Sequence, residues 1–139
     1  MPDTNVWIAW LQNRSRTVTA RLREETLENS LRMCSVVRAE LVYGAINGGG
    51  GRKNLELLNQ SLARYPSLPF DDSCCEMYGH LRVDLERQGK RSGHYDMLIA
   101  AIALTNDLIL VTHNTRNFID ISGLKIEDWQ SDDPNQSST

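Results

Sequence analysis

MLIAAIALTNDLILVT, residues 97–112, joins two apolar segments across a short polar break. The first segment, 97–105, is rich in alanine and predicts a helix, whereas LILVT at 108–112 predicts a strand. Because this strand is apolar without alternation, we expect both of its faces to be covered. A strand of this kind is typical of a parallel sheet that lies between two layers of helices. The stretch therefore predicts an α/β fold.

The same alternation of helices and strands extends through the rest of the chain. Helices are predicted over 6–12, 17–30, 36–46, 54–65 and 71–88, strands over 31–35 and around 68–70, and a last apolar element over 124–129. The glycine-rich segment GGGGRKN at 48–54 lacks the spacing of a P-loop, so we expect a flexible linker there. These elements predict one three-layer α/β/α domain over residues 1–129, with a central, mostly parallel sheet. The polar residues 130–139 are expected to form a disordered tail without a function.

The composition of the 139-residue chain is that of one soluble globular domain, with 40% hydrophobic and 24% charged residues. No segment approaches the ~20 consecutive apolar residues of a membrane helix, and the N-terminus lacks the pattern of a signal peptide. The odd count of three cysteines, two of them adjacent, disfavours a disulfide framework. We therefore expect a cytoplasmic protein. Its net charge of −3 argues against a protein that coats nucleic acid nonspecifically.

Four polar side chains next to the predicted strands are candidate ligands. Asp3 precedes the first helix, Glu40 lies one turn into the helix after the 31–35 strand, Asp96 opens the alanine-rich helix, and Asn114 follows LILVT. Ligands of parallel α/β sheets bind beyond the carboxyl ends of the strands, so we expect these side chains to converge. Carboxylate and amide oxygens suit Mg²⁺ or Mn²⁺, and such an ion lowers the pKa of an attacking water. The four residues together predict a site that cleaves phosphate esters.

Each of these residues also has a simpler explanation when it is taken alone. Asp3, Asp96 and Asn114 are good helix N-caps. Glu40 could pair with a nearby arginine on a solvated helix face. However, Glu40 and Asp96 stand among apolar residues, where an uncompensated carboxylate is unfavourable. Their surroundings therefore favour the role of ligand.

Four blocks occur along the chain: DTNVWIAWL at 3–11, VVRAELVYGA at 36–45, YDMLIAAIAL at 95–104 and LVTHNTRNF at 110–118. In sequence, order and spacing they resemble the blocks of the VapC-type toxins of the PIN-domain ribonuclease family, and GLKIEDW at 123–129 resembles that family's closing strand. The resemblance implies a PIN fold in which Asp3, Glu40, Asp96 and Asn114 are the catalytic and metal-binding residues. It further implies a Mg²⁺- or Mn²⁺-dependent endoribonuclease that cuts tRNA or rRNA, a VapB-type antitoxin as partner, and a homodimer.

Two features depart from the family pattern. Only Met1 and Pro2 precede Asp3, so the first strand is expected to be a short stub, since proline cannot donate a hydrogen bond to a sheet. Asn114 stands where many relatives have aspartate, so the cluster has one negative charge fewer and a second metal should bind weakly. These departures leave an alternative open, in which the chain is a catalytically weakened, PIN-like module that binds partners.

Two kinds of surface residue are candidates for contacts with partners. Arg87, Lys90, Arg91 and Arg116 lie near the proposed ligands in sequence and could contact RNA phosphates, although a solvated basic loop explains them equally well. A second basic pair, Arg14 and Arg16, is a weaker candidate, because loops are commonly charged. Apolar side chains of the helices at 36–46 and 54–65 are expected to form a groove for a helix of the antitoxin.

Overall fold

The computed structural model describes residues 1–131, which form six helices, a single 3₁₀ turn and four short strands. The helices are α1 (Thr4–Leu11), α2 (Arg16–Leu27), α3 (Ser35–Asn47), α4 (Gly51–Ser61), α5 (Asp72–Arg87) and α6 (His94–Thr105). The strands are β1 (Met33–Cys34), β2 (Ser67–Leu68), β3 (Leu110–Val111) and β4 (Ile126–Glu127), and the 3₁₀ turn is Thr115–Asn117.

The strands pair in parallel, β1 with β2 and β3 with β4. The chain start adds a stub to β3, because Pro2 forms a parallel bridge with Val111. On either side of Pro2, Val111 N donates to Met1 O at 2.9 Å and Asp3 N donates to Val111 O at 2.9 Å. The missing N–H of Pro2 is therefore not needed, and Asp3 is held directly at the carboxyl end of the stub.

The prediction that both faces of the LILVT strand are covered is confirmed for β3, whereas Ile109, just before it, is exposed. Successive strand residues point to opposite faces of a sheet. Leu110 and Val111 are 0% and 2% exposed, and Met33 and Cys34 of β1 are both fully buried. The three-layer α/β/α architecture follows from this burial. The small side chains of α6, at Ala100, Ala101 and Ala103, are fully buried and let neighbouring elements approach closely.

Several predicted boundaries were wrong: the helix predicted over 17–30 ends at Leu27, the one predicted over 54–65 ends at Ser61, and the strands are shorter than predicted. Two further differences concern the starts of helices. Residues 51–54 do not form a flexible linker, because α4 already begins at Gly51 and the Asn54 side chain donates to Ala45 O of α3 at 3.3 Å. This bond ties the start of α4 to the end of α3. The alanine-rich helix begins at His94, so Asp96 lies inside its first turn.

Three further predictions concern the C-terminal tail, the cysteines and membrane-spanning helices. Most of the predicted tail, residues 132–139, lies outside the described residues, whereas Gln130 is buried and its N–H donates to Asp128 Oδ1 at 2.9 Å. Cys34, Cys74 and Cys75 are free thiols, as predicted. Within residues 1–131, every helix is too short or too polar to cross a lipid bilayer.

Candidate active site

Asp3 is fixed by a helix and a strand at once. It is the N-cap of α1, where its Oδ1 accepts a hydrogen bond from Val6 N at 3.1 Å, and its own N–H bonds to β3. N-capping satisfies a backbone donor that the helix leaves free. The side chain is only 8% exposed. Asp3 is therefore both a helix cap and a buried carboxylate.

Glu40 and Asp96 reach the same region from two other helices. Glu40 lies on α3 and Asp96 in the first turn of α6, and both are half-buried. The Asn117 side chain orients Asp96, because its Nδ2 donates to Asp96 Oδ2 at 2.9 Å. Ser92 in turn donates to Asn117 O at 3.1 Å, which ties the loop before α6 to the 3₁₀ turn.

The three carboxylates interact electrostatically. Burial raises the pKa of Asp3, Glu40 and Asp96 above their ordinary values and is the largest cause in each case. The charge of Asp96 raises the pKa of Asp3 and of Glu40, and Asp3 also raises the pKa of Glu40. The structure therefore brings three residues from distant parts of the chain into one cluster of repelling negative charges.

Two threonines that the sequence analysis overlooked belong to this cluster. Thr112 is fully buried, accepts a hydrogen bond from Asn114 N at 3.0 Å, and lowers the pKa of Asp3 through a side-chain hydrogen bond. The Thr4 hydroxyl lies beside Glu40 and lowers its pKa, but within residues 1–131 it has no partner at normal hydrogen-bond geometry. Thr112 could have been found from the sequence, because a hydroxyl at the end of a buried strand needs a partner.

Asn114 follows β3 and is exposed at the surface. Its backbone is anchored, because its N–H bonds to Thr112 and its carbonyl accepts from Asn117 N at 3.2 Å. Its exposed side chain forms no hydrogen bond within the described part of the chain. Instead it lines a cleft of 590 Å³ together with Asn5 and Arg14. Its assignment as a metal ligand stays a prediction.

The donor set fits a hydrated magnesium or manganese ion. In residues 1–131, no three His, Cys, Asp or Glu side chains are close enough together to form a complete metal site. Mg²⁺, however, keeps several waters and uses only one or two carboxylates directly. A divalent cation would also relieve the repulsion that raises the pKa of Asp3 and Glu40. The chemistry of the oxygens therefore suits such an ion.

Three of the four basic residues that were predicted to contact RNA are distributed over two clefts. Lys90 and Arg91 line one cleft of 590 Å³, between α5 and α6, which we call the α5–α6 cleft. Arg116 lines the cleft of Asn114 and Arg14, which we call the Arg14–Arg116 cleft. Arg87 is exposed in the last turn of α5 and lines neither cleft. The assignment of all four residues as contacts for RNA stays a prediction.

Comparisons with known proteins agree on one family. The model of the PIN domain matches residues 1–124. The tRNA(fMet)-specific endonuclease VapC of Shigella flexneri is 37% identical over 131 residues, which cover 93% of this chain and 96% of the relative. Ribonuclease VapC2 of Rickettsia felis is 32% identical over 129 residues, with the same two coverages.

Solved structures show the same similarity in three dimensions. VapBC2 from Rickettsia felis, bound to a DNA fragment from its promoter, matches with a TM-score of 0.85 and 31% identity over 93% of this chain and 97% of that chain. DNA-bound VapBC from Salmonella typhimurium matches with a TM-score of 0.85 and 32% identity over 93% of this chain and 96% of that chain.

Proposed function

The chain belongs to the PIN-domain family, and from this membership we propose that it is the endoribonuclease toxin of a toxin–antitoxin pair. The observation that carries the proposal is that Asp3 at the start of α1, Glu40 within α3 and Asp96 in the first turn of α6 all have a raised pKa. The charge of Asp96 contributes to the raised pKa of Asp3 and of Glu40. The resemblance to proteins named as ribonucleases supports the same activity. Asp3, Glu40 and Asp96 are proposed to hold Mg²⁺ or Mn²⁺, with Asn114 at the edge of the site.

The protein's own side chains would prepare the site for phosphodiester hydrolysis. When bound, the divalent ion would neutralise charge on a phosphate oxygen and lower the pKa of a water. Asn117 orients Asp96, and Val6 N and Thr112 orient Asp3, so both carboxylates are held in place before RNA arrives. A carboxylate with a raised pKa is a better proton acceptor, and one of the three would take the proton of the attacking water. The water would attack phosphorus in line, the bond to the 3′ oxygen would break, and that oxygen would take up a proton from solvent, which leaves a 5′ phosphate and a 3′ hydroxyl.

The substrate and the partner are proposed from the relatives. The Shigella flexneri relative is named for tRNA(fMet), which supports a structured RNA, tRNA or rRNA, as the substrate, cut in the cytoplasm. The solved relatives are VapBC complexes, which supports a VapB-type antitoxin as the partner. Exposed apolar side chains on α3 and α4, at Tyr43, Ile46 and Leu57, offer a surface for an antitoxin helix. A homodimer is proposed on the family resemblance alone.

Cleavage of RNA in the presence and absence of a chelator tests the proposed activity. We expect the wild-type chain to cut a labelled RNA with Mg²⁺ or Mn²⁺ and to stop when EDTA is added. Asp96→Asn should lose activity by roughly 10²-fold or more, because a general base or ligand is removed. Asp107→Asn is the matched control, since Asp107 is an exposed carboxylate with a φ of 50° that asparagine tolerates well. Cleavage that survives EDTA, or full activity of Asp96→Asn, would contradict the proposal.

A catalytically weakened binding module is the second candidate. Its support is that the described residues hold no complete cluster of metal-binding side chains and that Asn114 is neutral. Titration calorimetry with Mn²⁺ separates the two candidates. The enzyme predicts Mn²⁺ binding that Asp3→Asn and Asp96→Asn abolish. The binding module predicts no heat from Mn²⁺ and no cleavage.

A further inference from the structure

Two clefts, each of 590 Å³, are lined by residues that adjoin the proposed catalytic carboxylates in the chain. His94 and Met97, on either side of Asp96 in sequence, line the α5–α6 cleft. Asn5 and Asn114, which are close in sequence to Asp3 and Thr112, line the Arg14–Arg116 cleft. A strand of RNA whose cut bond lies at the carboxylates could therefore continue into either cleft.

The cations of the α5–α6 cleft are mostly neutralised by the protein itself. Arg82 Nε lies 3.1 Å from Glu86 Oε1, and Glu86 lines the same cleft. Lys90 Nζ lies 3.7 Å from Asp120 Oδ1. A phosphate in this cleft would have to compete with these carboxylates and would be repelled by Glu86.

In the Arg14–Arg116 cleft, by contrast, the arginines are not neutralised by the part of the protein that the structure describes. No Asp or Glu lines it, and within residues 1–131 neither Arg14 nor Arg116 forms an ion pair or a side-chain hydrogen bond. Both are exposed. The nearby Asp128 carboxylate is already engaged, since it lies 3.1 Å from His113 Nδ1 and accepts from Gln130 N at 2.9 Å. The two guanidinium groups are therefore free to bind an anion.

Arg14 and Arg116 reach this cleft from distant parts of the chain. The Arg14 N–H caps the end of α1 by donating to Ala9 O at 2.8 Å, and Arg116 belongs to the 3₁₀ turn that follows β3. The same turn carries Asn117, which holds Asp96. The position of Arg116 is thus coupled to the position of a proposed catalytic carboxylate.

We propose that the Arg14–Arg116 cleft binds the single-stranded RNA on one side of the bond that is cut, an inference that rests on the proposed ribonuclease function. Guanidinium groups bind phosphates through paired hydrogen bonds. The uncharged polar groups of Asn5, Asn114 and Thr115 line the same cleft and can bond to sugars or base edges. Asn114 then acts as a contact for the substrate. We expect RNA to bind more weakly in the α5–α6 cleft, because its cations Arg82 and Lys90 are paired with Glu86 and Asp120.

Binding of RNA without cleavage tests this proposal directly. The probe is a fluorescein-labelled, single-stranded RNA, and its anisotropy is followed in EDTA with the Asp96→Asn chain as the background. Arg14→Ala and Arg116→Ala should each weaken binding about tenfold. Each should also reduce the slope of log affinity against log salt concentration by about 0.7, the value for one phosphate contact to a single strand. Arg23→Ala is the matched control, because Arg23 is exposed on α2 and, within the described residues, has no ion pair and lines neither cleft.

The variants also separate the alternatives. Unchanged affinity of the Arg14→Ala, Arg116→Ala double variant would overturn the proposal, as would an equal loss in Arg23→Ala. A larger loss in an Arg82→Ala, Lys90→Ala variant would assign the strand to the α5–α6 cleft and overturn it too. Equal affinity for decaglutamate would overturn RNA as the ligand. Each variant is first shown to be folded by circular dichroism. Failure of the proposed function is seen separately, as the absence of cleavage by the wild-type chain with Mg²⁺ or Mn²⁺.

Discussion

Asp3 shows how one side chain can serve both the fold and the site. Its Oδ1 caps α1 by accepting from Val6 N, so the position is explained by local structure alone. Its burial and the nearby charge of Asp96 raise its pKa, which a solvent-exposed cap would not show. Capping therefore fixes the orientation, while the surroundings make the carboxylate reactive. The two roles considered for Asp3 from the sequence, helix N-cap and metal ligand, are therefore compatible.

The stability of the chain without metal should depend on the ionisation of Asp3. Because burial raises its pKa above 3.8, the folded chain binds this proton more tightly than the unfolded chain. The stability that protonation of Asp3 adds to the folded chain is fully present below the ordinary pKa of 3.8. It is lost as the pH rises through the raised pKa of the folded chain. Asp3→Asn keeps an N-cap acceptor and removes the charge. We expect the variant to exceed wild type in stability at neutral pH, and the difference to shrink at about pH 3.

Urea unfolding in EDTA, followed by circular dichroism, measures this difference, with Asp107→Asn as the control. A destabilisation of Asp3→Asn that is the same at both pH values would contradict the expected role of the buried charge. It would show that the carboxylate acts as a cap alone.

Asn117 is expected to keep Asp96 ionised. Its Nδ2 donates to Asp96 Oδ2 at 2.9 Å and lowers the pKa of Asp96 against the effect of burial. Asn117→Ala removes this bond, so the pKa of Asp96 should rise further, and Mn²⁺ should bind more weakly because the carboxylate is less well oriented. A carboxyl ¹³C NMR titration measures the pKa, and calorimetry measures Mn²⁺ binding. Asn114→Ala, which removes a neighbouring amide, is the control for the pKa, and an equal rise there would refute the role of Asn117.

At the scale of elements, the position of α3 decides where Glu40 lies. This helix begins directly after β1, and its N-cap, Cys34, forms no side-chain capping bond. Arg38 instead fastens the first turns of α3 to the segment at β2. The Nε of Arg38 donates to Ser67 Oγ at 2.6 Å, and its Nη2 donates to Tyr65 O. Because Glu40 is two residues further along, this anchor also supports the carboxylate cluster.

Arg38→Met should therefore destabilise the fold by about 1.5–3 kcal/mol, the usual value for hydrogen bonds to a charged group. Methionine keeps the apolar stem, so the loss reports the bonds rather than the packing. Urea unfolding measures the change, and Arg23→Met is the control on an exposed helix face. A loss no greater than that of Arg23→Met would show that Ser67 and Tyr65 are not bound in solution.

At the scale of the whole molecule, the site depends on contacts between distant residues. The stub at Pro2 pairs with β3, which in turn pairs with β4, and this arrangement places Asp3 beside Thr112. α3 and α6 then bring Glu40 and Asp96 to Asp3. The repulsion among the three carboxylates is offset in part by hydrogen bonds from Val6 N and Thr112 to Asp3 and from Asn117 to Asp96. A ligand that relieves it should stabilise the entire fold.

Mn²⁺ is therefore expected to raise the melting temperature of the chain. A ligand that binds only the folded state, at a hundredfold excess over its Kd, stabilises by about 2.7 kcal/mol. Differential scanning fluorimetry should show the increase, and EDTA should reverse it. Asp3→Asn and Asp96→Asn should lose the increase, whereas Asp107→Asn should keep it. An equal increase in all four chains would indicate a metal site elsewhere.

Most helices and strands of the fold can be predicted from the sequence. The uninterrupted apolar run of LILVT predicted a strand with both faces covered, and Leu110 and Val111 are indeed buried. Boundaries were harder to predict, because tertiary contacts extend helices past weak local signals. α4 begins within the glycine run, where Asn54 ties it to α3, and α6 begins three residues before the predicted Met97.

What the sequence by itself determined was the α/β class, the family resemblance and the identity of the candidate carboxylates, because periodicity and motif spacing are local properties. The tertiary structure alone decided which side chains act together. It joined Thr112 to Asp3 and Asn117 to Asp96, and it placed Lys90 and Arg91 along one cleft and Arg116 along another. The physical reason is that hydrogen bonds and charge interactions act over a few ångströms in space. The residues that meet at this distance are set by how strands pair and helices pack, and no local pattern contains that information.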